Sequence, residues 1–196
     1  MKRIFDFVFS LIAIVVLSPL FLILGLVVKL SDGGSVLFIQ KRTGRGGVPF
    51  NMYKFRSMSQ SEPAAAGLFE PGNISRITPT GKFLRKTKLD ELPQLFNVLI
   101  GDMSFVGPRP EVEKWVAVYP GKWRRILTVR PGITDKASIE FLNEEKILSE
   151  SSDPENRYLN EILPRKLDLC VQYADDHSFT GDMRIMILTI KTVLFR

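Results

Sequence analysis

The sequence predicts an α+β chain, mostly helical, with a small β-hairpin and an N-terminal re-entrant membrane helix broken at Ser18-Pro19. Three observations carry this reading. An uncharged run of 21 residues, Val8–Val28, lies near the start of the chain. Two strand-like runs, Val36–Gln40 and Pro49–Phe55, flank a cluster of Gly44, Gly46 and Gly47. Later segments repeat apolar residues at helical spacing. At 196 residues the chain is expected to divide into a membrane helix over 1–30 and one membrane-associated domain over 31–196.

Charge and composition narrow the chemistry. Lys plus Arg number 27 against 21 Asp plus Glu, a net +6, so some surface attracts anions: phosphorylated small molecules, acidic lipid or nucleic acid. One cysteine, Cys170, excludes a disulfide within the chain, and with one histidine, His177, the soft ligands for a structural zinc site are too few. Mean hydropathy is +0.07, high for a chain that is 24% charged, and the excess sits at the N-terminus.

As a straight helix Val8–Val28 would extend about 32 Å, close to the bilayer's hydrocarbon thickness of about 30 Å. A secretory signal fits poorly, since no small-residue cleavage site follows Leu30. Pro19 removes a backbone hydrogen bond and forces a kink, which the Ser18 hydroxyl eases by bonding a nearby carbonyl. Lys2 and Arg3 precede the run, and Lys29, Lys41, Arg42 and Arg45 follow it. Positive charge at both ends favours a helix that enters and returns on the cytoplasmic side; a kinked spanning anchor is the other reading.

After the Asp32-Gly33-Gly34 turn comes the hairpin. Between Lys41 and Arg56 stand Lys41, Arg42, Arg45, Lys54 and Arg56 with no acid, a set that suits phosphates or lipid headgroups, or equally a solvated juxtamembrane face. The glycines complete neither a Walker loop nor a dinucleotide fingerprint. Residues 59–73 lack periodicity and are expected to form a loop that could serve as a lid.

The stretch from Arg76 to Glu111 is the most informative. Leu92, Leu95, Phe96 and Leu99 mark an amphipathic helix that Pro93 starts and Gly101 closes. Asp90 and Glu91 then fall at its N-terminus, directly after Lys82, Arg85, Lys86 and Lys88. There both are expected to be ionised, Asp90 as a nucleophile toward phosphorus and the pair as ligands of the kind Mg²⁺ prefers. Plain N-capping explains the same residues. In Gly-Pro-Arg-Pro-Glu, residues 107–111, Pro108 and Pro110 hold Arg109 at a fixed angle, either to grip a phosphate or as a turn with a solvated arginine.

Residues 112–127 mix Trp115, Tyr119 and Trp123 with Lys114, Lys122, Arg124 and Arg125, which suits an interfacial membrane segment; core packing of a tryptophan is the alternative. The acidic stretch from Glu140 to Glu161 is expected to be exposed and to face away from the membrane. Two helices should follow, Leu159–Ala174 and Asp182–Phe195, the second apolar on more than one face and so buried or against lipid. Asp168, Asp175, Asp176 and Asp182 read as caps and solvated positions in preference to metal ligands.

In order along the chain, the apolar segment with Ser18-Pro19, YKFRSM at 53–58, LRKTKLDELPQLFNVLIGDMSFVGPRPE at 84–111, VRPGIT at 129–134 and LDLCVQYADDHSFTGDMRI at 167–185 resemble the bacterial sugar transferases, the small monotopic phosphoglycosyl transferases. The resemblance implies a catalytic domain over 31–196 at the cytoplasmic face of the bacterial inner membrane. It implies transfer of a sugar-1-phosphate from a UDP-sugar to polyprenyl (undecaprenyl) phosphate, with release of UMP and use of Mg²⁺. Asp90 would form an aspartyl phosphosugar, and Glu91 would hold the metal with Asp90 or assist the acceptor. Arg85 and the Pro108-Arg109-Pro110 turn would contact substrate, joined by Lys54 and Arg56. The resemblance also marks this chain as a minimal catalytic form, without a preceding multi-helix region. One departure concerns Asp135–Phe141, where many members carry a glycine and an Ala-Gln pair leading to Asn-Gly-Arg. That stretch is expected to border the sugar pocket, so the sugar stays open.

A basic domain binding lipid or RNA without catalysis also fits the +6. Its basic run, however, leads into a carboxylate pair that repels polyanions, and an aromatic RNA-binding signature is missing, so no nucleic-acid partner is expected. A glycosidase also uses two carboxylates, but adjacent residues are poorly placed to flank a sugar ring. The expected partners are the UDP-sugar, polyprenyl phosphate and membrane lipid, with self-association left open.

Overall fold

The computed structural model describes residues 1–59 and 76–194. The loop expected at 59–73 therefore lies, past Ser59, outside the described residues.

The apolar run forms two helices, α1 (Lys2–Val16) and α2 (Ser18–Asp32), bent by 63°. The break is at Leu17: Pro19 sits in the first turn of α2, where its missing N–H is not needed, and Ser18 Oγ donates to Val15 O at 2.8 Å. Among the described residues no single helix is long and apolar enough to cross a membrane, though the bent pair is so by composition. Both outer ends of the pair rest on the same body. At the start of α1, Lys2 pairs with buried Asp182 and donates to Val106 O at 2.8 Å. Arg3 donates to Val98 O and Leu99 O at 2.6 and 2.7 Å, and Asp6 accepts from Phe105 N–H at 3.2 Å. At the end of α2, Leu24 and Val28 are buried with Phe55 and Leu84. The residues between, among them Phe9, Ile12, Val15, Leu22, Ile23 and Leu26, expose their apolar side chains.

The hairpin pairs β1 (Leu37–Thr43) with β2 (Pro49–Phe55), Leu37 opposite Phe55 and Thr43 opposite Pro49. Gly46 and Gly47 turn it at φ of 69° and 78°, a region glycine enters without strain. A helix not foreseen, α3 (Pro79–Thr87), is capped by Thr78, whose Oγ1 accepts from Gly81 N–H at 2.9 Å. Next come a 3₁₀ turn over Leu89–Glu91, α4 (Gln94–Ile100) with Gly101 at φ 100° closing it, and β3 (Ser104–Val106). Two short helices, α5 (Glu113–Val116) and α6 (Pro120–Ile126), lead to β4 (Gly132–Thr134), which pairs parallel to β3. The two segments meet where Gly107 touches Gly132: a Cβ on Gly132 would lie 2.1 Å from Gly107 N. Only glycine allows that approach, and it locks the 107–111 turn onto β4.

The chain ends in α7 (Lys136–Glu140), α8 (Glu144–Ser149), α9 (Pro154–Arg157), a π-turn over Tyr158–Ile162, α10 (Leu163–Asp175) and α11 (Phe179–Leu194). Trp115 and Trp123 are both in the core with Tyr158, Leu163 and Leu167, and Trp123 Nε1 donates to Trp115 O at 3.2 Å. The expected interfacial role is thus corrected for both: α5 and α6 turn their indoles inward onto α10. Asp182 is also corrected, since it is a buried partner of Lys2 and of Tyr173 OH (2.8 Å) rather than a solvated position. In the acidic stretch, Glu140 pairs with Arg165 and Glu144 with Lys166. α11 buries Ile185 and exposes Ile187, Leu188 and Ile190, so one apolar face enters the core and another stays uncovered.

Candidate active site

Asp90 and Glu91 occupy the 3₁₀ turn between α3 and α4, not the first turn of α4 as the spacing suggested. With only seven residues, α4 contributes little dipole; the positive charge at the dyad comes from side chains. The turn is entered through Lys88, whose φ of 59° makes it the one non-glycine residue at positive φ among those described. A left-handed residue with a side chain costs about 1–2 kcal/mol, and here it reverses the chain so that Asp90 points inward while Glu91 meets the hairpin.

Glu91 is clamped. Lys54 Nζ from β2 lies 3.0 Å from Oε1, Arg109 Nη1 donates to Oε2 at 3.3 Å, and Arg109 Nη2 pairs with Oε1. Two segments distant in sequence, β2 and the 107–111 turn, thus converge on one carboxylate. Asp90, 6% exposed, has a buried Oδ1 with no hydrogen-bond partner. Such an orphaned oxygen is costly unless a ligand satisfies it.

The two carboxyls are pushed apart. Burial raises Asp90, with Lys54 opposing and the Glu91 charge adding to the rise. Burial alone would raise Glu91 too, yet Arg109 and Lys54 hold it well below the usual carboxylate range. Lys54 is lowered by burial against the pull of Glu91, whereas Arg109 is raised, first by Glu91. Burial therefore makes the charged form of Asp90 costlier than it is in water, the opposite direction from Glu91.

The remaining candidates divide. Arg85 Nε donates to Ser57 Oγ at 2.9 Å, and its charge acts on Asp90. Arg56 is buried at the end of β2. Pro108 and Pro110 hold backbone: Pro108 O accepts from Gly132 N–H at 3.0 Å and Pro110 O from Arg42 Nη1 at 3.2 Å. Ser18 and Pro19 lie at the exposed bend. Asp168, Asp175 and Asp176 are exposed, the first two in ion pairs with Lys122 and Arg125.

Sequence reasoning missed the support beneath this site. Glu111, immediately after the turn, is buried and binds Arg42 Nη1 at 3.0 Å and Tyr158 OH at 2.8 Å, with Lys166 at 3.9 Å. Asp135, expected beside the sugar, is 2% exposed: its Oδ1 caps α7 through Ser138 N–H (2.6 Å) and its Oδ2 accepts from Arg109 N–H (3.1 Å). Its carboxylate is a bracket for the arginine turn. Next to it, burial and then Asp135 raise the Cys170 thiol well above its ordinary value, so this cysteine is inert.

A buried carboxylate whose Oδ1 no protein group satisfies thus lies next to one clamped by two cations. Residues 1–196 match the bacterial sugar transferase family, and the chain belongs to it. It is 38% identical over 194 residues to the uncharacterized sugar transferase EpsL of Bacillus subtilis (strain 168), covering 99% of this chain and 87% of that one. It is 36% identical over 198 residues to the UDP-N-acetylgalactosamine-undecaprenyl-phosphate N-acetylgalactosaminephosphotransferase of Aeromonas hydrophila. To the UDP-glucose:undecaprenyl-phosphate glucose-1-phosphate transferase of Klebsiella pneumoniae it is 35% identical over 193 residues. Of the latter two it spans only 43% and 39% of the length.

Proposed function

We propose that this chain transfers a sugar-1-phosphate from a UDP-sugar to polyprenyl phosphate and releases UMP. The observation that carries the proposal is the inward Asp90 carboxylate with its unsatisfied oxygen, under the charges of Lys54, Lys88 and Arg85, in a turn whose neighbours Leu89 and Leu92 pack on the end of the bent helix pair. An Asp90 oxygen attacks the sugar-bearing phosphorus, the P–O bond to UMP breaks, and an aspartyl phosphosugar remains. A phosphate oxygen of the acceptor then attacks that phosphorus, the acyl P–O bond breaks, and the Asp90 carboxylate returns. Arg109 and Lys54 offset the charge of two anions meeting in one site while Glu91 fixes both cations in place.

Magnesium fits this donor set in one particular way. Asp90 Oδ1, which no protein group satisfies, would be the protein's ligand to the ion; with Glu91 committed to Arg109 and Lys54, further oxygens would come from the substrate's phosphates, as is usual for Mg²⁺. When bound, the ion neutralises phosphate charge and eases departure of UMP.

Purified protein given a UDP-sugar and polyprenyl phosphate is expected to release UMP, and with donor alone to carry a phosphosugar on the peptide containing Asp90. UDP as product, or an adduct on another peptide, would refute the mechanism.

The reading of residues 1–30 as a re-entrant helix on a 31–196 catalytic domain, at the cytoplasmic face of the bacterial inner membrane, draws support from the two anchored ends. Lys2 and Arg3 at one end and Leu24 and Val28 at the other grip one body, an arrangement a span would pull to opposite sides. Cysteines at the exposed Ile4 and Ser31 should both react with a membrane-impermeant maleimide from the same face, the buried Cys170 giving no background. Labelling from opposite faces would establish a kinked span.

A further inference from the structure

Beside the dyad lies a cavity of about 250 Å³ between α4, α7 and α11. Typical small-molecule sites begin at about 300 Å³, so it has room for part of a ligand and not for a whole nucleotide sugar. Its walls are mainly apolar: Leu92, Leu95, Phe105, Ile133, Ile139 and Val193. Three threonines also line it, but each hydroxyl proton is spent within the protein. Thr192 Oγ1 donates to Leu188 O and Thr189 Oγ1 to Ile185 O, both at 2.8 Å, and Thr134 Oγ1 lies 2.8 Å from Thr189 Oγ1, which accepts from it. A hydroxyl-rich sugar would lose its bonds to water here and find few replacements.

The cavity's two ends differ. At the inner end Lys88, Glu91 and Arg109 join it to the site described above. On its flanks, α11 turns Thr189 and Val193 inward and exposes Ile187 and Ile190, while α4 turns Leu95 inward and exposes Phe96 and Ile100. The cavity therefore lies between two helices whose outer sides are apolar, with positive charge at its inner end.

We propose that this cavity seats the phosphate-proximal isoprenoid units of the polyprenyl phosphate acceptor, the chain passing between α4 and α11 and the phosphate reaching Lys88 and Arg109. The proposal rests on the transferase reading and deepens it. It separates the two substrates: the lipid enters from the apolar side of α11, and the nucleotide sugar reaches Asp90 from elsewhere. Ile139, in the stretch that departs from the family pattern, becomes an acceptor contact.

Two measurements test this. First, Val193→Trp narrows the cavity away from the dyad. It is expected to raise the acceptor KM at least tenfold while donor-only UMP formation stays within twofold of wild type. Second, a photoreactive polyprenyl phosphate, with a diazirine on its first isoprene, is expected to label peptides containing Ile139 or Val193 in nanodisc-embedded protein. Labelling confined to α1 and α2, or an unchanged acceptor KM in a folded Val193→Trp protein, would overturn the proposal. So would loss of donor-only UMP formation in Ser138→Ala, whose buried hydroxyl faces this region without a partner, because the cavity would then hold the sugar. Should wild type release no UMP from any UDP-sugar, the transferase reading fails, and photolabelling still decides whether the cavity takes the lipid.

Discussion

Asp90→Asn is expected to abolish UMP release and at the same time to firm the fold. The amide keeps the shape of the carboxylate but cannot attack phosphorus, and removing a nucleophile of this kind costs about 10⁴-fold or more in rate. The stability effect has the opposite sign. Burial raises the Asp90 carboxyl, so its ionised form is less at home in the folded protein than in water. Asparagine removes that charge. Melting measured at neutral pH without divalent cation or substrate is therefore expected to rise, by about 2–4 °C for each kcal/mol gained in a chain of this size. A variant that melts lower would show that the Asp90 charge holds the turn together, and one that still releases UMP at a tenth of the wild-type rate would place the nucleophile elsewhere. The combination, dead but firmer, is the signature of a carboxylate kept for chemistry at the expense of stability.

What the sequence disclosed depends on how far apart the interacting residues lie. Local chemistry was legible: Pro19 and Ser18 break the apolar run at Leu17, Gly46 and Gly47 turn the hairpin, and Pro93 and Gly101 bound α4 to within a residue. Each outcome is decided within a few positions of the residue that causes it. The family motifs also located the dyad and the arginine turn. They did not reveal that Glu91, and not Asp90, is the residue Arg109 and Lys54 clamp, since those partners are 18 and 37 positions away. Nor could they show Lys2 reaching Asp182 across 180 positions, which ties the N-terminal bent helix pair to α11. The tryptophans misled because aromatic and basic residues interleave both at a lipid interface and on a helix whose other face is core. What Asp135 itself does was not legible either: its carboxylate accepts from the backbone N–H groups of Arg109 and Ser138, the first of them 26 positions away.

Glu111→Gln is expected to destabilise the protein more than any other single isosteric change near the site. Arg42, Lys166 and Tyr158 converge on this one buried carboxylate, and taking its charge away strips Arg42 of its ion-pair partner and leaves Lys166 with Glu144 alone; breaking such a cluster costs about 3–5 kcal/mol. Burial would raise Glu111, but Arg42 and Lys166 hold it below its ordinary value near 4.5. A carboxylate depressed on folding lends stability above its unfolded pKa and loses it as pH falls through the lower, folded one. The gap in melting temperature between wild type and Glu111→Gln should therefore stay constant from neutral pH down to about pH 4.5 and close below that. A gap that widens in acid would contradict the ion cluster. Function should follow in graded form. Glu111 O accepts from Thr43 N–H at 3.0 Å and its side chain holds Arg42 against Pro110, so the residue sets the angle at which the turn presents Arg109. At a temperature where the variant remains folded, its donor KM is expected to rise, and adding Arg42→Met should recover stability, by removing one stranded charge, without recovering the KM.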